Sequence, residues 1–416
     1  MNVEFGYPLC RTIQLKRSFI FPLFQNKKFV LPRFESNIGA VSTAQWGALT
    51  GTEFPFSEHD YLSALEESAC VGEESGWLPC HLTLWKNKQL QGALCLYEKT
   101  NGYGEYIFDW GWANAYEQHG LNYYPKLVSA IPFTPATGRK LLVHPEADAS
   151  RVRKKLLEEA LLCMRSRNCS SLHFLFITAE EQPVFESMGF LIRHSFQFHW
   201  KNKNYRNFAE FLALLKRKRR KEILRERRQI QKQMIKVSVL EGDAILPEHI
   251  HNMYQFYLST IDRKWGQSYL SEDFFYRIHE TMRKRLVLIL AYADGDCVAG
   301  TINFQKGDCL YGRYWGCKRN YRSLHFELCY YQPIEYAIGK GIRLFEAGAQ
   351  GEHKIQRGFL PELTYSAHWL EHPGFRNSVA EFLEEEKAAI HKAIEEFSPH
   401  SPYREAVSFL IDEERS

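Results

Sequence analysis

Two stretches about two hundred residues apart follow one plan, and this repeat constrains the chain more than any other feature. Leu82–Gly111 (LTLWKNKQLQGALCLYEKTNGYGEYIFDWG) matches Leu288–Gly316 (LILAYADGDCVAGTINFQKGDCLYGRYWG). Each reads as a strand, a polar turn, a second strand opening at Gly92 or Gly300, another turn, and an aromatic strand ending in Trp-Gly, at Trp110 or Trp315. A repeat unit this long marks a duplicated domain rather than a solenoid. Within each half the order is helix, strands, helix, strand, the pattern of a mixed α/β sheet with helices on its faces. The 416 residues, 45% of them hydrophobic, suffice for two sizeable cores. The expected organisation is an N-terminal unit over 1–200, a basic helical linker over 201–240, and a C-terminal unit over 241–416.

The second half carries the stretch best suited to a site. Leu310–Trp315 alternates and is rich in aromatics, so it reads as a strand. A basic loop, Lys318–Arg322, leads into a helix expected over about Ser323–Ile338, with Ser323 as N-cap. Leu324, Leu328, Tyr331 and Ile338 recur on one face. Gly339 and Gly341 end the helix, Ile342–Phe345 form a short strand, and Gly348–Gly351 lead to Glu352, His353, Lys354 and Arg357. Loops that leave the ends of such strands are where ligands bind in open α/β sheets. Acyl transfer to an amine needs a base, a polarised carbonyl and a stabilised oxyanion. Glu327, Glu352 and His353 are therefore candidate bases, and Lys354 and Arg357 candidate oxyanion or phosphate partners. Tyr314 and Trp315 on the strand, with Lys318 and Arg322 in the basic loop, are candidate substrate contacts. Asp109, among Tyr106, Phe108, Trp110 and Trp112 on the aromatic strand of the first half, is another. The competing reading makes Glu327 and His325 an exposed helix face and residues 352–357 a solvated turn.

Between the halves, Lys216–Arg228 (KRKRRKEILRERR) carries nine basic residues and two acidic ones on a segment expected to be one long helix. Arg217, Arg219 and Arg220 are its candidate contacts to nucleic acid; a solvated helix face is the alternative. The net charge of +4 is too weak by itself to indicate nucleic acid. Ten cysteines without a Cys-x-x-Cys pair show no zinc or redox motif, so no metal site is expected and a reducing, cytoplasmic setting fits. No apolar run reaches a membrane span. Phe19–Phe24 is short, contains Pro22, and is not read as a signal peptide.

Several motifs together resemble one family: PFSEHDYLSALEES (55–68), GEYIFDWGWA (104–113), PFTPATG (132–138), HFELCYYQPIEYAI (325–338) and FEAGAQGEHKIQRGFLP (345–361). The chain is similar to the FemAB-like "peptidoglycan biosynthesis/recognition" family of the GNAT acyltransferase superfamily. The resemblance implies two tandem GNAT-like domains and N-acyl or aminoacyl transfer to an amine acceptor, such as a cell-wall precursor, from aminoacyl-tRNA or an acyl-CoA. Lys354, followed by Arg357, Gly358 and Phe359, resembles the Lys and Phe-Gly ending of Fem enzymes, with the last two residues reversed. The Gly-rich turn that cradles a CoA pyrophosphate at a helix N-terminus is missing at both equivalent places, HPEADAS (144–150) and CKRNYRS (317–323). A non-catalytic recognition module and a tRNA-binding protein are the alternative functions; oligomeric state is not legible.

Overall fold

A computed structural model of the chain describes residues 30–263, 266, 268–348 and 351–404. Phe19–Phe24 lies outside them. The strands are β1 (Leu31–Glu35), β2 (Trp77–Pro79), β3 (His81–Lys86), β4 (Gln89–Leu94), β5 (Leu96–Lys99), β6 (Lys126–Ser129), β7 (Leu142–Val143), β8 (Ser171–Ile177), β9 (Leu191–Lys201), β10 (Lys236–Glu241), β11 (Leu286–Ala293), β12 (Asp296–Lys306), β13 (Cys309–Cys317), β14 (Leu344–Glu346) and β15 (Leu360–Leu370).

The duplication is visible strand by strand. The β3–β4 hairpin corresponds to β11–β12, and Gly92 and Gly300 each sit beneath a helix. A Cβ on Gly92 would lie 2.5 Å from Val152, and one on Gly300 2.6 Å from Met253. Each half then crosses over through a helix to a parallel strand: β6 to β8 through Ala149–Ser166, and β13 to β14 through Leu324–Lys340. The fold is mixed α/β, two tandem units of one topology.

β1, β3, β4 and β7 form a four-stranded sheet in the order β1-β3-β4-β7, and the two units are fused through a second, eleven-stranded sheet. Its order, β10-β11-β12-β13-β14-β9-β15-β8-β6-β5-β2, places β9 of the first half against β14 of the second and β15 of the second against β8 of the first. The two central strands pair with each other over nine residues, Leu360–His368 against Leu191–His199. Each half has thus given its last strand to the other. Strand alternation makes this binding: Phe198 and Trp200 of β9 enter the core of the second half, while Tyr365 and Ala367 of β15 enter that of the first.

The repeat breaks where the sequence places its third strand. Tyr103–Trp112 is a loop followed by a helix over Trp110–Gln118, so Trp110 opens a helix whereas Trp315 lies on β13. The true counterpart of β13 is β6, and residues 100–125 intervene in the first half only. The aromatic alternation there serves packing of a short helix, with Trp112 and Tyr116 buried and Trp110 exposed.

The basic segment is also corrected. It forms two helices, Phe208–Leu214 and Arg217–Lys232, broken at Leu215–Lys216, and the second is about 24 Å long. Ile223 and Ile230 are buried against the second half. No helix among the described residues is long and apolar enough to cross a membrane.

Candidate active site

β13 and β14 are hydrogen-bonded only through Cys309–Tyr311 and Leu344–Glu346. Beyond those residues they part, and a cleft of about 590 Å³ opens between them. Gly312–Trp315 of β13 form one wall, Ala347 and Gly348 after β14 the other. The first half contributes Tyr106, Phe133 and Pro135; Tyr257 and Tyr269 close the far side.

The crossover helix supplies the third wall, and its shape is unusual. It runs as Leu324–Phe326, a π-helical turn at Glu327–Tyr331, then Gln332–Lys340. Pro333 lacks an N–H, which favours an irregular turn at this point. Ser323 is not the cap expected: it adopts φ +65° and its side chain caps nothing. The widened turn directs His325, Cys329 and Tyr330 into the cleft, while Glu327 and Tyr331 face the basic helix.

Lys354 is the charged residue set deepest beside the cleft, 1% exposed, on a turn over Glu352–Arg357. Its Nζ donates to the Gly348 carbonyl at 2.5 Å. Burial pulls its pKa down to about 8. His353 also lines the cleft, its Nε2 2.8 Å from the Tyr330 hydroxyl. Burial, with the Arg357 and Lys354 cations, lowers the His353 pKa, whereas burial raises that of Tyr330. The imidazole is therefore neutral at neutral pH and the phenol protonated, so Tyr330 donates to His353 in the tautomer that leaves Nε2 bare. His325 packs edge-on against Trp315 at 4.9 Å.

The expected constellation is thus only partly assembled. His353, Lys354, Tyr314 and Trp315 share the cleft. Glu327 does not: its Oε1 accepts from Gln332 (2.7 Å) and Arg227 (3.1 Å), because its position on the turn faces the basic helix. Glu352 is exposed and outside the cleft lining. Arg357 is buried but turned away, bonded to Glu226 (2.9 Å) with its guanidinium 3.4 Å from the centre of the Phe326 ring. Both tie the basic helix to the second half. Lys318 and Arg322 are exposed on the β13 loop and outside the cleft lining. Asp109, expected on a strand, immediately precedes the Trp110–Gln118 helix. It joins Lys126, Tyr123 and Glu105 in a buried network of the first half. Arg217 is exposed, Arg219 is held by Glu222 and Gln356, and Arg220 is half-buried.

Tyr330, Cys329, Arg313, Asn303, Tyr257 and Tyr106 line the cleft and were not singled out by sequence. The one usable signal was Pro333, which marks a helix that must deform near Tyr330.

Antiparallel strands followed by a helical crossover to a parallel strand, twice over, define a tandem GNAT-like fold. The chain belongs to the FemAB-like peptidoglycan biosynthesis/recognition family, whose model it matches over residues 37–405. That family is described by peptidoglycan biosynthesis or recognition. No curated protein sequence matches the chain. Among solved structures, FemX shares the fold with TM-score 0.50 at 10% identity, over 82% of this chain and 98% of that one. L-PGS from Bacillus licheniformis (TM-score 0.47, 11% identity, 80% and 98% covered) and a tandem GNAT protein of clavulanic acid biosynthesis (0.42, 11%, 83% and 99%) are more distant.

Proposed function

We propose that the cleft transfers an aminoacyl group from charged tRNA to an amine of a peptidoglycan precursor. The observation that carries this reading is the buried Lys354 ammonium beside the Tyr330–His353 pair, at the opening of β13 from β14. The amine attacks the ester carbonyl, a C–N bond forms, and the C–O bond to the ribose breaks. Lys354, in its charged form below about pH 8, stabilises the tetrahedral oxyanion, a role whose loss is worth about 10²–10³ in rate. The Tyr330 oxygen takes the proton from the attacking nitrogen as its own passes to His353, and the pair returns a proton to the leaving ribose oxygen.

Support for tRNA over acyl-CoA as donor comes from the helix N-termini. At Ala149–Ser166 the free N–H of Arg151 is already held by the Asp148 carboxylate at 3.1 Å, where it would repel a pyrophosphate. At Leu324 the preceding residue, Ser323, is left-handed and the basic side chains point to solvent. The outer face of the basic helix, with Lys216, Arg217, Lys218 and Lys221 exposed, supplies charge for an RNA backbone.

The test offers radiolabelled aminoacyl-tRNAs and acyl-CoAs in parallel to the protein with an amine-bearing stem peptide. Label should reach the peptide from tRNA, and Lys354→Ala should reduce the rate at least a hundredfold. Transfer from acyl-CoA alone would overturn the donor, and no transfer from either would leave a recognition module.

A further inference from the structure

The wall of the cleft holds a cation that the transfer chemistry above does not use. Arg313 is the extra residue of a bulge between β12 and β13: Ile302 faces Tyr314 and Asn303 faces Gly312, so Arg313 has no partner in the ladder. A bulge re-aims its side chain, here towards the cleft. The guanidinium donates a hydrogen bond from Nη2 to the Phe133 carbonyl at 2.8 Å. It lies 5.5 Å from the centres of the Phe56 and Tyr314 rings. Its Nε is buried without a hydrogen-bond partner, and Arg313 takes part in no ion pair among the described residues. Glu346, a carboxyl whose field reaches it, is driven by burial to a pKa of about 8 and is mostly neutral at pH 7.

A half-buried cation that faces no carboxylate carries a desolvation cost that an incoming anion offsets. Among the described residues no Asp or Glu lines this cleft, so the local balance is positive and aromatic. We infer that Arg313 is the anchor for a carboxylate of the acceptor, so that the acceptor class is a peptide bearing both a free amine and a free carboxylate. A carboxylate fits the planar fork of a single guanidinium in a bidentate pair. A phosphate, with more charge and more oxygens, needs further donors, and this wall adds few: the Asn303 amide is already spent on the Val287 carbonyl (3.1 Å) and Thr301 (3.0 Å), which leaves the Tyr314 hydroxyl. The inference rests on the cleft being the transfer site, but its test does not depend on transfer.

The test is equilibrium binding to the full chain of three probes: N-acetyl-lysyl-alanine with a free C-terminus, the same dipeptide as its C-terminal amide, and inorganic phosphate. The wild-type protein should prefer the acid to the amide by about ten- to a hundredfold, the range of a charge-assisted bond. Arg313→Gln should erase that preference, and Arg313→Lys, which keeps the charge but not the fork, should retain only part of it. A merely structural Arg313 would weaken both peptides alike and leave their ratio unchanged. An acid-to-amide ratio near one in wild type, or phosphate bound in preference to the acid, overturns the proposal even if Arg313→Gln fails to fold. Lys354→Ala separates the two readings, because it should abolish transfer while leaving the acid preference intact.

Discussion

Replacing Lys354 by Met should make the protein inactive and, at neutral pH, more stable. The side chain is buried and its pKa falls from 10.5 to about 8, through burial. A lysine whose folded pKa lies below its unfolded value costs stability wherever it is charged in both states. At 1.36 kcal/mol per unit that penalty is about 3 kcal/mol below pH 8. Between about pH 8 and 10.5 the unfolded chain holds the proton and the folded one does not, so stability rises with pH and the penalty vanishes. Met fills the same volume without charge but leaves the Gly348 carbonyl unpaired, a loss of about 1 kcal/mol. The variant should therefore gain about 2 kcal/mol at pH 7, equivalent to about 2–3 °C in a chain of this length. Above about pH 10 the order should reverse, with the crossover near pH 9.5. The assay is thermal or urea unfolding of both proteins from pH 7 to 10.5, with transfer measured alongside. A difference of constant sign across that range would refute the reasoning, since it would mean the ammonium is not held at a desolvation penalty.

Three further outcomes follow from the same geometry. Tyr330→Phe and His353→Ala should each slow transfer by about 10²–10⁴, and wild-type turnover should fall as the pH drops through the lowered His353 pKa, where protonation removes the acceptor of the Tyr330 proton; a rate flat with pH in wild type would contradict this. Glu327→Gln should lower stability by about 1 kcal/mol, by weakening the hold on half-buried Arg227, which keeps Glu335, with kcat unchanged in a single-turnover assay. Charge reversal at Arg217, Arg219 and Arg220 should abolish tRNA binding and reduce the slope of log K against log salt by about 0.7–0.9 for each phosphate no longer neutralised. The melting temperature should move little, and only through Arg219, which bonds Glu222 and Gln356.

The sequence alone determined the class of fold, because its signals are local. Alternation in β3, β4, β11 and β12, the Asp148-capped periodicity of Ala149–Ser166 and the glycines at 92 and 300 follow from short-range backbone geometry and the need to bury one face. The turn around Lys354 was legible for the same reason, since glycines flank a polar run between two strands. The tertiary structure decided what those signals leave free. Hydrophobic alternation fits β9 and β15 for a sheet without naming the neighbour, so the exchange of last strands arises only when two cores compete for Trp200 and Tyr365. The side of the crossover helix on which Glu327 lies depends on a π turn that shifts the helical phase, and periodicity read at 3.6 residues cannot see it. The surroundings of Arg313 depend on Phe133 and Tyr106, brought to the cleft from the first half. Charge in a sequence marks a residue as polar; only the packing around it decides whether it is solvated, paired, or left waiting for a ligand.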